Sequence, residues 1–395
     1  MKLGIIGLGQ RGSMLLHEIL KRDDVSVTWV CDLYEDRVQA GQEAVKNTKG
    51  TTPHMTTDAM EVIHAEDTNC LLIATSWDCH VALLKEAMTV HKPTAFEVGG
   101  AYSVEECFEL VELYEKTKTP VMMLENCCYG RLELLALNMC RKGLLGEIVH
   151  MEGGYRHDLR AEVTFGENNR HYRLKEYLSR NCENYPTHEI GPIAKILDIN
   201  RGNRMVSLVS VSSKAAGLSS YIKDNENTPE NLKDKTFAQG DVVTTIIKCA
   251  GGQTITITLD TTLPRYYSRG FMIQGTRGMI CEDNASVFID GQDNAKDFCW
   301  NTEWNNIEKY YEQYDHRLWK EGHATGGHGG IDGLVLSAFF DAVKEQKPMP
   351  IDIYDAVTWM AITPLSEASI KNNAVVDFPD FTHGMWQTKE RADIE

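Results

Sequence analysis

Lys2-Leu-Gly-Ile-Ile-Gly-Leu-Gly-Gln-Arg-Gly12 is the stretch that decides the fold. A short apolar run, Leu3 to Ile6, leads directly into Gly7-x-Gly9-x-x-Gly12. A segment with Met14, Leu15, Ile19 and Leu20 on one helical face follows. Strand, tight turn and helix in that order leave backbone N–H groups at the positive end of a helix dipole, where a pyrophosphate can sit. Gly7, Gly9 and Gly12, with Gln10 and Arg11 between them, form the candidate cofactor loop. A second apolar run, Val25 to Cys31, ends in Asp32, which lies 20 residues beyond Gly12. That is close to the spacing of a carboxylate that hydrogen-bonds a ribose hydroxyl. A carboxylate there repels a 2′-phosphate, so the pattern selects NAD over NADP. An ordinary glycine turn with a surface Asp is the alternative, and it leaves the agreement of strand, glycines, helix and acid unexplained.

Outward from this motif, strand-like and helix-like segments alternate up to about residue 125. Residues 70–75, 94–97 and 120–124 read as buried parallel strands, and 79–90 and 104–116 as the helices between them. Alternation of this kind gives a doubly wound sheet. After a helix near 130–142 the pattern changes. Gln253-Thr-Ile-Thr-Ile-Thr-Leu-Asp260 has period two, and 206–211, 242–249, 271–275 and 279–282 are further strand candidates. Many strands with short turns suggest a large, mostly antiparallel sheet with one covered face. Helical patterns return at 190–199, 331–344 and 354–370, while 224–235 reads as a polar surface loop. The expected fold is an α/β Rossmann domain (1–125) followed by an α+β domain (126–395) that binds substrate and mediates oligomerisation. Its C-terminal helices are expected to pack back on the first domain.

The length of 395 residues accommodates two such domains. A net charge of -17 argues against nucleic acid and anionic membrane as partners. No apolar run approaches the roughly 20 residues of a membrane span. The chain starts a strand almost at once, with no apolar leader, so a cytoplasmic location is expected. Eleven cysteines form neither a CxxC pair nor a zinc-like spacing. No metal is therefore expected, and the odd count of thiols suggests a reducing compartment.

In open α/β sheets the ligand lies beyond the carboxyl ends of the strands. The residues there are Trp77, Asp78, Cys79 and His80, then Glu97, then Glu125 and Asn126. His188, in Tyr185-Pro-Thr-His188, opens a helical run. The dipole at a helix start favours a neutral imidazole, which can accept a hydroxyl proton, whereas the neighbouring Glu189 favours a cationic one. A capping or core histidine fits the pattern equally well. Gly326-Gly-His328-Gly-Gly330 reads either as a ligand-approaching turn or as a plain loop before a helix. Tyr155, Arg173 and Tyr267 belong to no local motif. GxSxG, HExxH and Walker A patterns are absent from the sequence.

The chain resembles the Gfo/Idh/MocA oxidoreductases over nearly its full length. Within that group it is similar to the NAD-dependent glycosidases of glycoside hydrolase family 109, the α-N-acetylgalactosaminidase type. The stretches behind the resemblance are Glu125-Asn-x-x-Tyr-Gly-Arg131, Leu137-Asn-Met139, Tyr155-x-His-Asp-Leu-Arg160 and Arg173-Leu-Lys175. They continue with Tyr185-Pro-Thr-His188, Gly191-Pro192, Asp198-Ile-Asn-Arg-Gly202, His328-Gly-Gly330, Pro364-Leu-Ser-Glu-Ala-Ser369 and Asp377-Phe-Pro-Asp-Phe-Thr382. By position, the resemblance implies cofactor contacts at Gln10, Arg11, Asp32, Trp77, Asp78, Cys79, His80, Glu97, Val98 and Asn126. It implies sugar contacts at Tyr155, Arg173, Tyr185, Pro186, Thr187, His188 and Tyr267, and His328 joins them as a candidate.

Simple sugar dehydrogenases of the superfamily carry Glu-Lys-Pro where this chain has Glu97-Val98-Gly99. Val98 cannot move a proton. The resemblance thus implies a redox-neutral cleavage: oxidation at sugar C3, loss of the acidified C2 proton, elimination at C1, water addition and re-reduction. The paired carboxylates usual in glycoside hydrolysis are not needed for it. His188 is assigned to the C3 hydroxyl and Tyr155 to the C2 proton, with Glu125 in support, and a lowered Tyr155 pKa, supplied by Arg173 or neighbouring donors, is expected. The chain departs from the family at Gly99-Gly100, at Cys79 and at Glu189. Two other readings stay open, a sugar dehydrogenase using His188 alone and a catalytically silent sugar or NAD sensor. A homodimer is expected, because the large sheet needs its outer face covered.

Overall fold

An apolar run without alternation must be covered on both faces, and Leu3 through Ile6 are all buried in β1 (Lys2–Ile6). The computed structural model describes residues 1–293, 303–391 and 394. β1 lies in a six-stranded parallel sheet with β2 (Ser26–Cys31), β3 (His54–Thr56), β4 (Cys70–Ile73), β5 (Thr94–Phe96) and β6 (Val121–Met123). The order is β3-β2-β1-β4-β5-β6. It reverses between β1 and β4, the place where such sheets open a crevice for a ligand. β3 goes unread in the sequence because its three residues are too few to show a period.

The chain divides into two compact units. Met1–Asn126 joins with Glu321–Ala361, and Cys127–Lys320 joins with Ile362–Asp393. In the first unit the helix Ile353–Met360 packs on the helix Val104–Thr117. Tyr354 Oη donates to Glu115 at 2.8 Å, and the Tyr354 ring meets Tyr114 edge-on at 5.9 Å. The single helix expected over 354–370 is in fact two, Ile353–Met360 and Ile362–Asn372, and the break falls at the boundary between the units. Pro364 stands in the first turn of the second helix, where its missing N–H has no partner to lose.

The second unit holds an eight-stranded sheet. Its strands are β7 (Ile148–Arg156), β8 (Met205–Ser212), β9 (Val242–Cys249), β10 (Thr254–Asp260), β11 (Met272–Gly275), β12 (Gly278–Cys281), β13 (Ser286–Ile289) and β14 (Val376–Asp377). The order is β13-β12-β11-β7-β10-β9-β8-β14. The sheet is antiparallel except for the pair β7–β10. Ile255, Ile257 and Leu259 bury one face of β10, and Val243, Thr245 and Ile247 of β9 share it. The other face is open, with Ile246 and Val211 exposed.

β7 hides in the sequence because Gly153 and Gly154 interrupt its apolar pattern. Both glycines are required by close neighbours. A Cβ on Gly153 would meet Glu189 Cβ at 2.8 Å, and one on Gly154 would meet the Thr258 carbonyl oxygen at 2.2 Å. The stretch 224–235 is more than a surface loop. The helix Gly217–Asp224 enters it, a 3-10 turn Glu230–Leu232 closes it, and Thr228 and Leu232 are buried. Ten cysteines lie among the described residues, with no disulfide between them, and Cys299 lies outside them. No helix among the described residues is long and apolar enough to cross a membrane.

Candidate active site

The first unit carries the cofactor candidates. Gly7 has φ +95°, a conformation that L side chains avoid, and a Cβ on Gly12 would meet the Gly7 carbonyl oxygen at 1.9 Å. A Cβ on Gly9 would stand in ordinary contact with Arg37 Nη1, at 3.5 Å. The helix Gln10–Ile19 begins there with no side-chain cap and no acid in its first turn, so its leading amides stay available to an anion. Asp32 binds the same turn: Oδ2 accepts the Leu8 N–H at 2.7 Å and Oδ1 the Tyr34 N–H at 3.0 Å. Turn, uncapped helix and anchored carboxylate fit a dinucleotide.

Trp77 through His80 open the helix Trp77–Thr89. The Trp77 indole lies against Gly99, where an added Cβ would stand 2.6 Å from Nε1. Gly99 has φ +82° and Gly100 φ +110°, so the backbone after β5 follows a path that proline could not take. His80 is buried. Its Nδ1 lies 3.2 Å from the Gly99 carbonyl oxygen and its Nε2 3.0 Å from that of Thr75. Burial pulls this imidazole below its usual pKa. His80 thus sits between the loops after β4 and β5, and a neutral ring donates to one of the two carbonyls. Asp78 accepts the Ser76 hydroxyl at 2.5 Å, Cys79 is half-buried, and Val98 is buried with its N–H 3.3 Å from Glu97 Oε2.

One residue central to this half escapes sequence reasoning. Asp332, in the first turn of the helix Ile331–Glu345, is fully buried. Its carboxylate accepts from both terminal nitrogens of Arg11 (Nη1 to Oδ2 2.8 Å, Nη2 to Oδ1 2.9 Å) and from the Asn126 amide at 2.8 Å. His328 Nδ1 lies 2.8 Å from Oδ2. Arg11 Nε donates to Glu97 Oε1 at 2.8 Å. Burial alone would raise the Asp332 carboxyl, but hydrogen bonds from His328 and Arg11 outweigh it and hold the group well below the usual carboxylate range. A carboxylate among Ile331, Leu334 and Val335, right after a glycine-rich turn, was the available signal. Glu125, also in this unit, is fully buried just beyond β6.

The second unit carries the sugar candidates except His328, which lies in the first unit against Asp332, and most of them converge. β7 delivers Tyr155 at its end, and the helix Thr187–Ile196 presents His188 in its first turn, with Pro186 at the N-cap. Tyr155 and Tyr185 stack with ring centroids 4.3 Å apart. The His188 ring stands edge-on to both, at 5.5 and 4.8 Å. The buried Arg173 guanidinium covers Tyr185 at 4.8 Å, and its Nε stands 2.8 Å from Glu162 Oε1. Tyr267, half exposed, meets the His157 ring edge-on at 5.2 Å.

His157 lies in one of the sequence stretches above but draws no role from them. Its Nδ1 lies 3.2 Å from Tyr155 Oη. Burial, helped by Arg173 and His188, lowers the imidazole pKa and favours the neutral ring, whose Nδ1 can accept from the phenol. The lowering expected of the Tyr155 pKa does not hold. Burial pushes the phenol up, and Arg173 opposes this without reversing it. A bare phenolate is therefore disfavoured in this cluster, and a phenol hydrogen-bonded to a neutral imidazole is favoured. Glu189 is buried against Gly153 of β7. Behind the cluster lies Glu183, fully buried, whose Oε1 accepts the Tyr185 N–H at 3.3 Å. Burial raises its carboxyl to about 8.

Comparison with known proteins matches two families along the chain. Residues 1–125 match the family described as the oxidoreductase family, NAD-binding Rossmann fold, and residues 129–388 match the C-terminal domain of glycosyl hydrolase 109. A glycosyl hydrolase family 109 protein of Stenotrophomonas maltophilia is 38% identical over 98% of this chain and 90% of its own. An α-N-acetylgalactosaminidase of Tannerella forsythia is 36% identical over 99% of this chain and 88% of its own. Among solved structures, a levoglucosan dehydrogenase in complex with NADH and levoglucosan superposes with a TM-score of 0.72 at 17% identity, covering 96% of this chain and 100% of that one. A scyllo-inositol dehydrogenase of Lactobacillus casei gives 0.68 at 12% identity, over 96% and 99%. At such identities these two structures speak for the fold alone.

Proposed function

Because the chain belongs to glycosyl hydrolase family 109, we propose that it is a retaining glycosidase with catalytic NAD, acting on N-acetylgalactosaminides or closely related hexosaminides. The observation behind this reading is the pairing of Tyr155 with His157 beside His188. Oxidation of an alcohol needs one proton acceptor. Elimination needs a second, for a carbon acid, and this cluster offers both.

NAD, when bound by the turn Gly7–Gly12, supplies the acceptor and later the donor of the hydride at sugar C3. His188 takes the C3 hydroxyl proton and later returns it. The Tyr155 oxygen takes the C2 proton as its own proton passes to His157 Nδ1. This relay avoids the phenolate that burial disfavours. Loss of the C1 leaving group, water addition, exchange of the held proton with solvent and proton return along the same path complete the cycle. Arg173, Tyr185 and Tyr267 hold the sugar. Val98, in place of a proton-moving lysine, speaks against plain dehydrogenation.

The chain is further proposed to form a homodimer through the open face of the eight-stranded sheet, where Val211 and Ile246 are exposed. Light scattering of Ile246→Lys should show a monomer where the unaltered chain is a dimer.

Incubation with aryl α- and β-N-acetylgalactosaminides, following aryl release and NADH absorbance together, tests the reaction. Release without net NADH is expected. Net NADH with free sugar would mean a dehydrogenase, and neither signal, with NAD still bound, would mean a sensor.

A further inference from the structure

Arg11 lies inside the glycine-rich turn, where a guanidinium is a natural partner for pyrophosphate. The hydrogen bonds give it another role. Both terminal nitrogens are taken by Asp332, and Nε is taken by Glu97. Asp332 is fully buried and also holds the Asn126 amide and His328 Nδ1. Glu97 in turn meets the N–H of Val98 through its other oxygen. Arg11 stands in the first turn of the helix Gln10–Ile19 that follows β1, Glu97 just beyond β5 and Asn126 just beyond β6. Arg11 and Asn126 are therefore bound directly to one aspartate on the helix Ile331–Glu345, and Glu97 is joined to it through Arg11.

We propose that Asp332 is the positioning residue of the cofactor groove, holding Arg11 as a strut between the glycine turn and the loops after β5 and β6 instead of leaving it as a pyrophosphate ligand.

The charges support this. One guanidinium faces two carboxylates, so the cluster offers no surplus positive charge to a phosphate. A bidentate pair with a third bond to Nε also fixes the plane and direction of the guanidinium. Asp32 is anchored to the backbone of Leu8 and Tyr34, independently of this hub. The adenosine end should therefore be insensitive to it.

The test is binding, read by titration calorimetry with NAD and, separately, AMP on Asp332→Asn, Arg11→Gln and the double variant. Arg11 is partly exposed, so Arg11→Gln serves should Asp332→Asn fail to fold. Each single change should weaken NAD by about tenfold or more, the double change no further than the worse single one, and AMP by less than about twofold. Tighter or unaltered NAD binding by Asp332→Asn, with loss only in Arg11→Gln, would overturn the proposal, since Arg11 would then be the phosphate ligand. Parallel loss of AMP binding would also count against it, because the hub would then support the fold in general.

Discussion

Replacing Glu183 by Gln should make the protein more stable at pH 8 and leave it almost unchanged at pH 4.5. Glu183 is fully buried behind Tyr185, with backbone N–H groups of Tyr185 and Leu259 as its partners. Burial raises its carboxyl from the ordinary 4.5 to about 8. The native state therefore holds this proton across a window in which the unfolded chain has lost it. More protons on the native state mean that stability falls as pH rises from about 4.5 to about 8. Each tenfold difference in proton affinity is worth roughly 1.4 kcal/mol, so the loss across the window is on the order of 3 to 5 kcal/mol. Glutamine keeps the shape and an acceptor oxygen for the Tyr185 N–H, and it cannot ionise. Urea unfolding of both proteins at half-unit pH steps measures the effect. The two stability curves should diverge steadily towards pH 8. Parallel curves would refute the reasoning, since Glu183 would then ionise in the native state as easily as in the unfolded one.

Tyr155→Phe keeps the stack on Tyr185 but removes the phenol that bonds to His157. Aryl release should fall by about a hundredfold or more while NAD affinity, read by titration, stays within about twofold. Gly99→Ala forces a side chain into φ +82° and against Trp77 Nε1 at 2.6 Å. It should cost roughly 1 to 2 kcal/mol in strain, seen as a lower Tm in thermal unfolding, with weaker NAD binding as Trp77 shifts.

The cofactor half is legible because its physics is local. Gly7, Gly12 and Asp32 meet one another across two strands and a turn, and their spacing follows from that geometry. Asp332 is not legible, since it reaches Arg11 from more than 300 positions away and nothing near it in sequence points there. The sugar half divides in the same way. His188 sits at a helix start that the sequence displays, whereas Tyr155, Arg173 and Tyr267 reach it from separate segments and are named only by resemblance. Burial reverses one expectation outright. The charge of Arg173 favours a lower Tyr155 pKa, but loss of solvent around the phenol outweighs it. The break near Ala361 and the strand β7 escape a sequence reading because a proline tolerated in a first turn, and glycines demanded by close neighbours, blur the periods that otherwise mark helix and strand.

Cleavage of an aryl glycoside in deuterated water, followed by mass spectrometry or NMR of the released sugar, tests the redox route most directly. Each turnover should place one solvent deuterium at C2, with no net NADH formed. Full-rate release of sugar with protium retained at C2 would contradict the relay through Tyr155 and the cofactor-borne chemistry on which it depends.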